Sequence, residues 1–177
     1  MRRLERMGLV ATVVATVSGL VLVGACSNQV SGRADADPSE VAAYVSEVAA
    51  SSVAASSSRA ATIERAAGTA CDTFAESNET AVDSFNVYIE ASNNNAPDQE
   101  AKANDAVTQL RAGASAVEAK ITRDVPAAVA DPLRAYRDDT NALADTLEQR
   151  ADVDTLNAAI DTFNATKDGA RDACRAY

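Results

Sequence analysis

Histidine is missing from all 177 residues of this chain. Its absence removes the commonest general base at neutral pH and the commonest transition-metal ligand. A Ser/His/Asp or Cys/His catalytic set is therefore excluded, as are the Glu-x-x-His pairs of ferritin-like di-iron bundles. Tryptophan is missing too, and three Phe and four Tyr make up the aromatic complement. Alanine supplies about half of the 47% hydrophobic fraction. It is the best helix former but buries little area, so the core must be helical and thin. Carboxylates are plentiful, yet nothing nominates a pair facing a cleft at the separation of about 5–10 Å that two-carboxylate hydrolysis requires. Asp138-Asp139 and Asp152-Val153-Asp154 lack the glycine and terminal glutamate of a calcium loop; they read as helix capping and a solvated face. The expectation is a protein that is not an enzyme and uses no cofactor or metal.

Long apolar runs are also scarce, with one exception at the N-terminus. Arg2, Arg3 and Arg6 against Glu5 form a basic flank, and Met7 to Val23 is uncharged and mostly Val, Leu, Ala and Thr. The run closes on Val23-Gly24-Ala25-Cys26. A basic flank, a short apolar stretch and a small-residue exit mark a secretory signal rather than part of a fold. A spanning helix wants about 20 apolar residues, and polar Ser27-Asn28-Gln29 follows with no basic stop-transfer cluster. Small Gly24 and Ala25 admit a peptidase, and the Cys26 thiol is the group to which lipid is attached.

Residues 1–26 resemble the lipobox signal of bacterial lipoproteins. The Arg-over-Lys, Ala- and Asp-rich body resembles an actinobacterial, mycobacterium-like envelope lipoprotein with a small helical domain. The resemblance implies removal of residues 1–25, a diacylglyceryl, palmitate-bearing Cys26, and a location on the outer face of the cell membrane. Removing three Arg and one Glu leaves 13 basic and 25 acidic residues, a formal charge of −12. Such a surface repels nucleic acid and anionic headgroups. The expected partners are the membrane, through the lipid, and an envelope protein.

The remainder divides into a polar tether and an Ala/Ser-rich stalk over 26–60, helical or disordered, and a four-helix domain over 61–177. Asp37-Pro38-Ser39-Glu40 is a good helix start, with Glu40 placed to complete a capping box. Spacings of three and four then predict helices near 62–93, 97–122, from Asp131-Pro132 to about 147, and from about Asp152 to the C-terminus. The last carries a stripe running from Val153 through Leu156, Ile160, Phe163, Lys167, Ala170 and Cys174 to Tyr177. Short breaks make neighbours antiparallel. The fold class is all-α, an up-down-up-down bundle behind a stalk.

That topology puts Cys71 and Cys174 at one end of the bundle, both on inward stripes. An exported protein matures where disulfides persist, so the two are expected to pair. The antiparallel register then matches Asn78 with Lys167, with Thr140 near the same level. Lys167 either snorkels to solvent with Asn78 bonded to it or a neighbour, or the three face a cavity for which Gly113 and Ala114 leave room. The functional expectation is a non-catalytic interaction or scaffold module of the cell envelope. Its alternative is a carrier or sensor of a small apolar ligand, favoured by a continuous cavity among Phe85, Tyr88, Leu110, Leu143 and Phe163.

Overall fold

Asp37 opens the first helix by accepting hydrogen bonds from the Ser39 N–H at 2.8 Å and the Ser39 hydroxyl at 2.6 Å. Ser39, rather than Glu40, completes this cap. Pro38 occupies the first turn, where its missing N–H costs nothing. A computed structural model describes residues 37–177. Helix α1 runs without a break through 56 residues, Pro38–Asn93. The stalk and the first bundle helix are thus one element, and the open choice between helix and disorder resolves to helix over 38–60. No Gly or Pro stands between Ser39 and Ala67 to stop the helix. The hydroxyls of Ser51, Ser52, Ser56 and Ser57 bond to carbonyls three or four residues back, so the serines satisfy themselves within it.

Three shorter helices follow: α2 Gln99–Lys120, α3 Ala127–Glu148 and α4 Val153–Ala173. Among the described residues there is no strand. Left-handed residues close two exits: Asn95 at φ 50° after α1 and Arg150 at φ 53° after α3. Asparagine tolerates that geometry, and Arg150 is held there by its guanidinium on the Leu147 carbonyl at 2.9 Å. Asp152 caps α4 by accepting from the Thr155 N–H at 3.0 Å.

α3 starts earlier than Asp131-Pro132, and this corrects the sequence reading. Pro126 takes the cap position and Pro132 lies inside the helix. An internal proline forfeits one backbone hydrogen bond. Here Val129, Ala130 and Leu133 flank it on the buried face, and all three join the core with Val125. Their burial offsets the missing bond.

α3 packs against both α2 and α4. Eight of its residues are buried, including Leu133, Tyr136, Thr140, Leu143 and Leu147. α4 contributes only Phe163 and Ala170. Its expected stripe frays at both ends, because Val153 is 72% and Tyr177 48% exposed. Neighbours α1–α2, α2–α3 and α3–α4 pack along their lengths, while α1 and α4 scarcely meet. Ion pairs reinforce the α2–α3 edge: Arg111 bonds Asp145 at 2.8 Å and Glu148 at 2.7 Å, and Arg137 and Arg150 reach Glu118 and Glu100. Among the described residues none crosses from α1 to α4. The bundle therefore has three closed edges and one open edge.

Candidate functional site

The open edge is pinned at one end. Cys71 on α1 and Cys174 at the end of α4 form a disulfide with Cα atoms 5.5 Å apart. Away from it the helices leave a seam. Its upper part, next to the disulfide, is a cleft of about 620 Å³ bordered by Phe74, Asn78, Glu79, Val82, Arg171 and Tyr177. Its lower part is narrower, about 130 Å³, and reaches between all four helices. Ala81, Val82, Phe85, Leu110, Leu143, Ile160 and Phe163 give it apolar walls, and Asn86, Asn164 and Lys167 supply its polar atoms. Val82 is common to both parts.

The three polar residues matched by register do not converge on one point. Lys167 is half-buried on the lower cleft. Its Nζ donates to Asn164 Oδ1 at 2.6 Å and sits 5.5 Å from the centre of the Phe163 ring. Asn78 lines the upper cleft, where its Oδ1 is buried without a hydrogen-bond donor. Thr140 borders neither cleft. It is sealed in the core and donates its hydroxyl to its own helix, at the Tyr136 carbonyl, 2.6 Å away. Threonine in a helix has this local acceptor always within reach. Asn78 and Lys167 are not bonded, because α1 and α4 scarcely meet away from the disulfide.

Gly113 has a different role from the one expected. A Cβ there would lie 3.3 Å from the Ser77 carbonyl oxygen. Its bare backbone lets α1 and α2 approach, so the room is filled by α1 and does not enlarge the cavity. Four of the five residues expected around a cavity do line the lower cleft. The exception is Tyr88, which is buried against Phe85 with ring centres 5.9 Å apart.

Spacing gave no hint of Tyr136 as a special residue. It lies edge-on to Phe74 at 4.8 Å and tilted against Phe163 at 5.7 Å, joining α1, α3 and α4 beneath the disulfide. Its hydroxyl is buried with no partner, and burial pushes the phenol up to about 12. Above pH 10 the unfolded chain loses this proton while the folded chain keeps it, so stability must fall as pH rises from 10 toward 12. The expected loss is about 1 kcal/mol by pH 11. Tyr136→Phe should remove that portion of the decline, as read by urea unfolding at pH 9 and pH 11. An identical decline in the variant would refute the assignment.

No group of three or more Cys, Asp or Glu able to hold a metal occurs among the described residues. None of the described helices is long and apolar enough to cross a membrane. Cys26 and the signal segment lie outside the described residues. Residues 53–175 match the family model of the Rv2240c four-helix bundle domain. The match begins within the segment read from sequence as stalk, in keeping with an unbroken α1. No curated protein and no solved structure matches the chain.

Proposed function

We propose that this chain, which belongs to the family of the Rv2240c four-helix bundle domain, serves as a lipid-anchored, non-catalytic binding module on the outer face of the cell membrane. The supporting observation is the free first part of α1. Residues 38–62 are helical and exposed throughout, a rod of roughly 35 Å at 1.5 Å per residue. A rod between a lipidated Cys26 and the bundle would lift the bundle clear of the bilayer and present it to an envelope partner. Two acyl chains anchor stably where one is marginal, so diacylation would suffice for a domain with no spanning helix among its described residues. Replacing Cys26 with Ala is expected to release the protein from the membrane fraction and change its electrophoretic mobility. Unchanged retention and mobility would contradict the anchor.

A second reading, a carrier or sensor of a small ligand, is favoured by the lower cleft. Phe85, Leu110, Leu143 and Phe163 belong to the packed core and also line a cleft of about 130 Å³ that opens between the four helices. An apolar cleft with a few placed polar groups is the usual form of a small-molecule site.

A further inference from the structure

We infer that the lower cleft takes a small monoanionic amphiphile, its anionic group on Lys167 and its apolar body among Phe85, Leu110, Leu143, Ile160 and Phe163. The inference rests on the carrier reading and adds the chemistry of the occupant. Lys167 is bonded only to a neutral amide, Asn164 Oδ1 at 2.6 Å, and among the described residues it makes no ion pair. The neighbouring cations differ: Arg171 of α4 is paired with Asp168 at 3.2 Å, and Arg175, just past the end of α4, with Asp172 at 2.9 Å. Among the described residues Lys167 is the one charged residue lining the lower cleft. A half-buried ammonium against an aromatic face and aliphatic walls favours an anion that brings its own apolar surface.

The upper cleft does not compete for the anionic group. Asp72, Glu79 and Asp83 of α1 face it opposite the already paired Arg171 and Arg175, so an anion there meets carboxylates. The lower cleft, at about 130 Å³, is on the order of the 150 Å³ apolar cavity that admits benzene. The apolar body is thus about six carbons, with anything longer running out along the seam. A carboxylate at Lys167 forms a charge-assisted hydrogen bond, and one such bond is a discrimination of about tenfold over a neutral isostere.

The probes are hexanoate, 1-hexanol and hexylammonium, titrated into the isotope-labelled chain and followed by amide chemical shifts. Hexanoate is expected to bind saturably, moving amides around Ala81–Asn86 and Ile160–Lys167. 1-Hexanol should bind about tenfold more weakly, and hexylammonium more weakly still. Lys167→Met should abolish the preference for hexanoate while leaving 1-hexanol binding and the remaining amide spectrum intact. Lys120→Met, away from the cleft, should change neither. Equal binding of hexanoate and 1-hexanol to the unaltered chain would overturn the anion preference and leave the carrier reading standing. Failure of all three probes to saturate would overturn both, as would shifts confined to Val41–Val53 on the exposed stalk.

Discussion

Breaking the Cys71–Cys174 bond is expected to cost the folded chain about 4–5 kcal/mol, from the chain-entropy account of a loop of this length. The two cysteines are 103 residues apart, so the bond restrains nearly the whole domain in its unfolded state. The loss is comparable to the total net stability of a small domain, and a core this rich in alanine has little in reserve. The native state suffers as well. The disulfide is the principal tie between α1 and α4, and α4 stays docked by two fully buried residues with Leu156, Ala159 and Ile160 partly buried beside them. Urea unfolding of the Cys71→Ser, Cys174→Ser double variant should therefore show a large fall in midpoint, or a chain already unfolded at room temperature. A change below about 1 kcal/mol would show that packing on α3 alone holds α4, against the loop-entropy account.

Leu133→Ala is expected to cost about 3–5 kcal/mol, the range for a leucine deleted from a core that cannot collapse around the hole. Leu133 has no exposed surface, and it sits beside Pro132 in a helix that packs on both α2 and α4. The loss is therefore double. The cavity remains, and the apolar burial that compensates for a proline inside α3 is reduced. The same measurement on Val41→Ala, at an exposed stalk position, should give a change within about 0.5 kcal/mol. Equal effects at the two sites would mean that the stalk is packed in solution or that Leu133 is not closely packed.

Much of this architecture can be read from residue order because helices announce themselves locally. The three-four spacing of Val107, Leu110, Ala114 and Val117 identifies the buried face of α2, and Asp152 marks the start of α4 by its side chain. The cysteine pairing follows from topology and from both cysteines lying on inward stripes, since three antiparallel helices of 21 or 22 residues return the end of α4 to the middle of the 56-residue α1. What spacing cannot supply is how closely two stripes meet. α1 and α4 carry comparable stripes, but Gly113 draws α1 toward α2 while α4 lies against α3, and the remaining edge is left open. For that reason Asn78 and Lys167, opposite in register, are not bonded. Thr140 illustrates a second limit: a hydroxyl at the right level can turn to its own helix's carbonyl instead of the shared layer. Pro132 illustrates a third, because a local helix-breaking signal yields to the burial of Val129 and Leu133 on either side.

An open fourth edge, pinned by one disulfide, underlies both the proposed ligand cleft and the expected fragility of α4. Native-state amide hydrogen exchange on the oxidised chain tests it directly, since elements that open below the global transition exchange first. Amides of α4 between Leu156 and Ala170 should exchange through a lower-energy opening than those of α2 between Ala103 and Val117 or of α3 between Val129 and Leu147. Equal protection across the three helices would mean that the edge is closed in solution, and would contradict the account.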